Sequence, residues 1–236
     1  MTLMWGAVAA SSLLVGAVLA TLRRWHMGTI GLVLAFGAGA LIASVSFELA
    51  EAGVQAAGPA AVGIGLTLGA AAYFLGDRAV ERSAARSGGS SSGAALTVGA
   101  LLDGIPESIV IGVSLLSGGA VSGVTVAAVF LSNVPEGLSS AAGMKRAGHS
   151  AAYVFAVWGG IALASGLSAL IGYAVFDGAA PGVIAAVTAV AAGAILAMLV
   201  DTMIPEATAE THDYSGLIAV AGFLAAFVLT KSGGGG

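Results

Sequence analysis

Eight apolar runs, each close to the ~20 residues that a membrane-crossing helix needs, take up most of the chain. Each run is continuously apolar rather than alternating, which favours helices over the strands of a membrane barrel. Composition agrees, because 58% of the residues are hydrophobic and 8% are charged, whereas roughly a quarter of a soluble domain is charged. The sequence predicts an all-α membrane protein with eight transmembrane helices, at 3–22, 29–50, 59–76, 94–117, 120–143, 151–176, 182–206 and 214–230.

Basic residues indicate how these spans are oriented. All lysines and arginines except Lys231 follow the first, third or fifth span, namely Arg23, Arg24, Arg78, Arg82, Arg86, Lys145 and Arg146. By the positive-inside rule these breaks are cytoplasmic and both termini lie outside. We therefore expect a multi-pass protein of the inner or plasma membrane. Residues 1–232 would form one transmembrane domain, 77–93 a flexible Gly/Ser-rich cytoplasmic loop and 233–236 a tail.

Several functional classes are disfavoured by composition and motifs. The net charge of −4 provides no basic patch for nucleic acid. The chain has no cysteine, no H-E-x-x-H motif and no histidine inside a predicted span, so we expect neither an enzyme nor a bound cofactor. Glycine pairs such as Gly65 and Gly69 have the spacing that lets membrane helices approach closely, and we interpret them as packing residues.

Three acids lie deep in the predicted spans, and they are the most informative residues. Asp103, Glu107 and Glu136 each carry a charge that costs about 2.5–3.5 kcal/mol near the bilayer centre. Every lysine and arginine is assigned to a loop or tail, so the sequence offers these acids no basic partner. Either they are protonated and hydrogen-bonded, or they face a hydrated path and bind a cation.

The spacing of these acids favours the cation. Asp103 and Glu107 are four residues apart and share a helix face, as do Ser132 and Glu136 on the next span. D-G-I-P-E-S and S-N-V-P-E-G are versions of one pattern on consecutive, oppositely directed helices. Each proline also frees a backbone carbonyl that protein, water or an ion must satisfy. The two motifs therefore predict oxygen-rich faces that meet near the middle of the membrane.

Two further acidic stretches lie near the ends of the second and seventh spans. S-F-E-L-A-E-A and D-T-M-I-P-E-A look like distant copies that match Glu51 to Glu206, as in the inverted repeats of many transporters. Glu48, Glu51, Asp201 and Glu206 are thus candidate pathway residues. The alternative is that they are span-end acids in water.

Eight spans with both termini outside, and P-E motifs on the fourth and fifth spans, resemble the ZIP family of divalent metal transporters. In that family both helices read H-N-x-P-E-G and the seventh resembles H-E-x-x-P-E. The resemblance implies inverted three-helix repeats around a central helix pair. Here Asp103 and Ser132 stand in place of the usual histidines, Gly104 in place of an asparagine, and Ser108 in place of a glycine. Carried over by position, the metal ligands would be Asp103, Glu107, Ser132, Asn133 and Glu136.

These residues predict transport of a divalent cation, with the inward direction implied by the resemblance. An all-oxygen site suits manganese, magnesium or ferrous iron, and carboxylates also bind zinc. The sixth span has no carboxylate, so we expect one main site. A proton or monovalent-cation carrier or channel using the same carboxylates is the alternative, and a metal-sensing scaffold that binds without flux is a third reading. The expected partners are the metal ion and the bilayer, with a homodimer left open.

Overall fold

The computed structural model describes residues 2–86, 108, 123–211 and 213–233, and within these ranges the chain is helical with short connections and no strand. Two of the helices contain a π-helical turn, in which the backbone hydrogen bond spans one residue more than in an α-helix. The described helices are α1 (Thr2–Leu22), α2 (Met27–Ser44, π turn Val45–Ala50, Glu51–Ala57), α3 (Pro59–Arg86), α4 (Gly123–Arg146), α5 (Ala151–Phe176), α6 (Pro181–Met198, π turn Leu199–Met203, Ile204–Thr211) and α7 (Ser215–Gly233).

Five of these helices, α2, α3, α5, α6 and α7, are long and apolar enough to cross a membrane. The described residues therefore support the expectation of an all-α, multi-pass membrane protein. The predicted span 94–117, which contains Asp103 and Glu107, lies outside the described residues except for Ser108. That serine is helical and 4% exposed.

The helices extend beyond the apolar runs that predicted them. α3 continues to Arg86, so the part of the predicted flexible loop from 77 to 86 is helical instead. Arg78 and Glu81 are three residues apart there, a spacing at which opposite charges stabilise a helix. Hydropathy marks where a span leaves the membrane, whereas the backbone hydrogen bonds of the helix can continue into water.

Glycine and proline mark the tight connections between helices. Gly58, Gly148 and Gly178 have positive φ angles of 82°, 89° and 76°, a region that L side chains rarely adopt. Pro59 and Pro181 begin the helices that follow two of these turns, where the missing proline N–H has no intrahelical partner to lose. These turns end one helix and begin the next within a few residues.

Close backbone contact at glycine joins α2 to α7. A Cβ atom on Gly39 would collide with the backbone carbonyl of Ala219, and one on Gly222 would collide with that of Phe36. Each helix therefore presents an apolar residue followed, three positions later, by a glycine. The glycine of one helix lies on the carbonyl of the other, which brings the backbones closer than side chains would permit.

The same reciprocal contact joins α3 to α6. Gly69 lies against the carbonyl of Val190, and Gly193 lies against that of Leu66. Phe36-x-x-Gly39 on α2 thus corresponds to Val190-x-x-Gly193 on α6. Leu66-x-x-Gly69 on α3 likewise corresponds to Ala219-x-x-Gly222 on α7. The interpretation of Gly69 as a packing residue is confirmed, and Gly65 packs on the same helix, against Ala189.

A third contact of this kind joins α1 to α4 inside the V-P-E-G sequence. Gly137 lies against the carbonyl of Leu13, and Gly16 lies against the carbonyl of Val134. The ends of the two helices are also joined, because the Lys145 ammonium donates to the carbonyls of Ala20 and Thr21, at 3.3 and 3.2 Å. The rotation of α4 about its axis is therefore fixed by backbone contact.

Substitution at the crossing glycines tests this packing. Gly39→Ala and Gly193→Ala place a methyl group against a backbone carbonyl that cannot rotate away, so the helices must separate. We expect each to lower the free energy of unfolding by about 1–3 kcal/mol, as for other overpacked sites. Thermal unfolding in detergent, followed by circular dichroism, measures the change.

Gly63→Ala is the matched control on α3, because no described atom lies within 4 Å of a Cβ at Gly63. Alanine is the better helix former by about 1 kcal/mol, so this variant should be as stable as the wild type or more stable. Equal melting temperatures for all three variants would contradict the close crossings.

Candidate functional site

The polar residues of α4 lie on the side of the helix that faces away from α1. Val134 and Gly137 contact α1, and successive residues of an α-helix are rotated by about 100°. Ser132, Glu136 and Ser139 therefore lie on the opposite side, at spacings that form one stripe. The glycine contact with α1 thus sets the direction in which the candidate site faces.

α2 packs on this stripe, and Met203 in the π turn of α6 contacts α2 at the same point. A Cβ atom at Gly37 of α2 would lie 3.1 Å from Cγ of Pro135, 3.4 Å from Cα of Ser132 and 2.9 Å from Cε of Met203. The absence of a side chain at Gly37 therefore lets three helices meet at this point. Pro135 cannot donate a backbone hydrogen bond, which frees the carbonyl of Leu131 within the same turn.

Two predicted ligands, Ser132 and Asn133, are buried on α4, with exposed fractions of 1% and 5%. The Ser132 hydroxyl donates to the carbonyl of Val129 at 2.9 Å, and it lies 3.4 Å from Oδ1 of Asn133. Donation to its own helix leaves the lone pairs of the serine oxygen as acceptors. The two residues bring a hydroxyl and an amide oxygen close together, as the proposed oxygen site requires.

Glu136 is half-buried on the same stripe, and Glu206 of α6 reaches that stripe as well. The hydroxyl of Ser139 donates to Oε1 of Glu206, while the rest of the glutamate side chain is exposed. Glu206 was predicted only as a pathway residue. The contact puts it beside α4, near the turn that follows Glu136.

Glu48 is held at a different contact, between α2 and α7. One carboxylate oxygen accepts from Ser44 at 3.0 Å, and the other accepts from Thr230 at 2.9 Å. The adjacent Phe47 packs edge to face on Phe227, with ring centroids 5.2 Å apart. Glu48 therefore lies in the π turn of α2, where hydroxyl groups of α2 and α7 donate to its carboxylate.

The remaining pathway candidates, Glu51 and Asp201, are exposed and are not drawn to α4 by any contact of the described chain. Asp201 lies on the α3 side of α6, where it interacts electrostatically with Asp77. The next residue, Thr202, shares a hydrogen bond of 3.1 Å with the Tyr73 hydroxyl of α3. The structure thus separates Asp201 from Glu206, although the sequence groups them in one motif.

Sequence reasoning did not single out Ser139, which is 3% exposed and connects α4 to α6. The signal was present, because Ser132, Glu136 and Ser139 follow helical spacing on one face. Serine is common inside membrane helices as a packing residue, so its role depends on the partner that only the fold supplies.

Metal ligation by the described residues alone is limited. Within the described ranges, no three His, Asp or Glu side chains form a group that could hold a metal ion. Asp103 and Glu107, which the sequence assigns to the other half of the site, lie outside the described residues. The described residues supply the polar stripe of α4 and the Glu206 carboxylate of α6.

No family model matches the chain, and no curated protein matches its sequence.

Thr230→Val tests the contact that holds Glu48. The substitution keeps the branched shape but removes the donor to Oε1 of a half-buried carboxylate. We expect the free energy of unfolding to fall by about 1–3 kcal/mol, the cost of leaving such an acceptor unsatisfied. Thermal unfolding in detergent measures it.

Thr67→Val is the matched control, because the exposed Thr67 hydroxyl donates at 2.8 Å to the carbonyl of Gly63 on its own helix. Its effect should stay within about 0.5 kcal/mol. Equal destabilisation by both substitutions would show that the Glu48 contact contributes nothing specific.

Proposed function

We propose that the protein transports a divalent metal cation across the membrane toward the cytoplasm, through a site that resembles that of the ZIP family. The ligands would be Asp103, Glu107, Ser132, Asn133 and Glu136. The observation that carries this proposal is the geometry of α4. The glycine contact within V-P-E-G turns the Ser132 hydroxyl and the Glu136 carboxylate away from α1 and toward α2, with the Asn133 amide beside the serine.

The proposed architecture has eight transmembrane helices, with inverted three-helix repeats around a central pair and both termini outside. Support comes from the two equivalent crossings, α2 with α7 and α3 with α6, which use the same apolar-x-x-Gly spacing. A π turn also follows the crossing glycine in both α2 and α6. An inverted repeat would explain why a crossing glycine followed by a π turn occurs in both α2 and α6.

Sequence equivalence extends this pattern to the fourth span. Ile105 and Ser108 flank Pro106 and Glu107 with the spacing at which Val134 and Gly137 flank their own Pro-Glu pair. Ser108 is buried, as a residue in a helix contact would be. If the two motifs pack equivalently, Glu107 and Glu136 face one another across the central helix pair.

The proposed chemistry is ligation by oxygen. Three carboxylates around a dication leave about one net negative charge, and protonation of one of them would weaken binding and favour release. Oxygen ligands favour manganese, magnesium or ferrous iron over an imidazole site, and zinc remains compatible with carboxylates. Transport also explains why carboxylates lie in predicted spans, where a charge is costly.

A carrier or channel for protons or monovalent cations is the second candidate function. It uses the same carboxylates and is favoured by one observation, that the described residues alone do not form a three-residue metal group. The two functions differ in what is moved. A proton carrier would acidify vesicles in the absence of any divalent ion.

Glu107→Gln and Glu136→Gln test the proposed site. Purified protein in liposomes should take up at least one ion from a panel of manganese, ferrous iron, zinc and magnesium. Each substitution removes a charge that contacts the ion, so we expect at least about a tenfold loss of uptake, which corresponds to about 1.4 kcal/mol. Indicator fluorescence inside the vesicles reports the uptake rate.

Asp177→Asn is the matched control, because it removes one negative charge from an exposed residue after α5. It should transport like the wild type. Unchanged uptake by both glutamine variants would reject the site. Absence of uptake of every divalent ion, together with proton flux that the variants abolish, would favour the second function.

A further inference from the structure

Glu206 is joined to α4 by a hydrogen bond from Ser139. Ser139 is 3% exposed, whereas Glu206 is an exposed residue whose Oε1 accepts from the serine. A buried, neutral donor therefore holds one end of an accessible anion. Such an arrangement fixes the position of a carboxylate while leaving its second oxygen accessible.

The packing of α6 on α2 aims Glu206 at α4. Met203 lies against Gly37 and Ala207 lies against Gly31, so the residues on either side of Glu206 are seated on α2. The π turn Leu199–Met203 precedes them and inserts one residue into the helix. That insertion rotates the following side chains by about 100° relative to an uninterrupted α-helix. Glu206 owes its direction to this rotation and to the two glycines.

The chemistry of the donor matters as much as its position. A lysine or arginine at residue 139 would neutralise Glu206, whereas a serine hydroxyl contributes only a dipole and leaves the negative charge available to a cation. Ser139 also follows Glu136 by less than one helical turn, a rise of about 4.5 Å along α4, toward the end that carries Lys145. An ion that leaves Glu136 in that direction meets Glu206 next.

We propose that Ser139 is a positioning residue that holds Glu206 as the next carboxylate on the ion's path after Glu136. This inference rests on the proposed function, because it needs an ion that passes along α4. Ser139 does not itself bind the ion. Its loss lets the Glu206 side chain move away from the path, which slows transfer without changing the first binding event.

The test uses the full chain in liposomes and manganese as the probe, in wild type, Ser139→Ala, Glu206→Gln and the double variant. Glu206→Gln keeps an oxygen that accepts from Ser139 but removes the charge. We expect Ser139→Ala to lower the maximal uptake rate up to about tenfold, the scale of one lost hydrogen bond to a charged group, and Glu206→Gln to lower it at least as much. The half-saturating manganese concentration should change by less than about twofold, since the ligands are intact.

Coupling between the two substitutions separates a positioning role from a general loss of packing. In the Glu206→Gln background there is no carboxylate left to position, so Ser139→Ala should cause little further loss. Thr67→Val, which removes an exposed α3 hydroxyl that donates to its own helix, is the control and should transport like the wild type.

Unchanged uptake in Glu206→Gln, or independent and multiplicative losses from the two substitutions, would overturn this inference while leaving the proposed function intact. A wild type that takes up no divalent ion would overturn the proposed function and this inference together. Size-exclusion chromatography of each variant shows whether it is folded, and Glu206→Gln keeps the test decisive even if Ser139→Ala does not fold.

Discussion

Contact between helix backbones at glycine is the interaction on which the described structure depends. Lipid tails are as apolar as the helices themselves, so burial of apolar side chains gives little reason for one helix to pack against another in the membrane. Close approach supplies that reason, because it brings many backbone atoms within van der Waals distance. In each of the three crossings a glycine lies on a carbonyl of its partner, and reciprocal contact fixes both the height and the rotation of each helix.

The position of the polar side chains follows from these contacts. On α4 the two residues that touch α1, Val134 and Gly137, flank Pro135 and Glu136, so the V-P-E-G sequence has two uses at once. Its apolar and glycine positions pack the helix, and the residues on the opposite side face the interior. A polar group that faces lipid would cost several kcal/mol, and the packing side of the motif prevents that orientation. The same contact therefore packs the helix and sets the direction of its polar stripe.

Much of this arrangement could be predicted from the sequence, and the limits have physical causes. Long apolar runs indicated the helices, because hydropathy and length suffice for a membrane span. The choice of crossing glycines could not be predicted, since Leu163-x-x-Gly166 has the same spacing, yet Leu163 is 72% exposed and no described atom lies within 4 Å of a Cβ at Gly166. Similarly, the motif that contains Asp201 and Glu206 is continuous in sequence, but the π turn directs its two acids to different neighbours. A sequence pattern identifies the polar residues. The partner of each residue depends on how its helix is rotated about its axis, which contacts elsewhere along the helix determine.

The two π turns occupy similar positions in their helices but carry different polar side chains. Both follow a crossing glycine, and both carry a side chain that is bonded to the partner helix of that crossing. In α2 that residue is Glu48, an acid held by Thr230, and in α6 it is Thr202, a neutral residue held by Tyr73. A carboxylate in one turn and a hydroxyl in the other respond differently to a passing cation, because only the first carries charge. Glu206, beyond the second π turn, then reaches the α4 stripe through its hydrogen bond with Ser139.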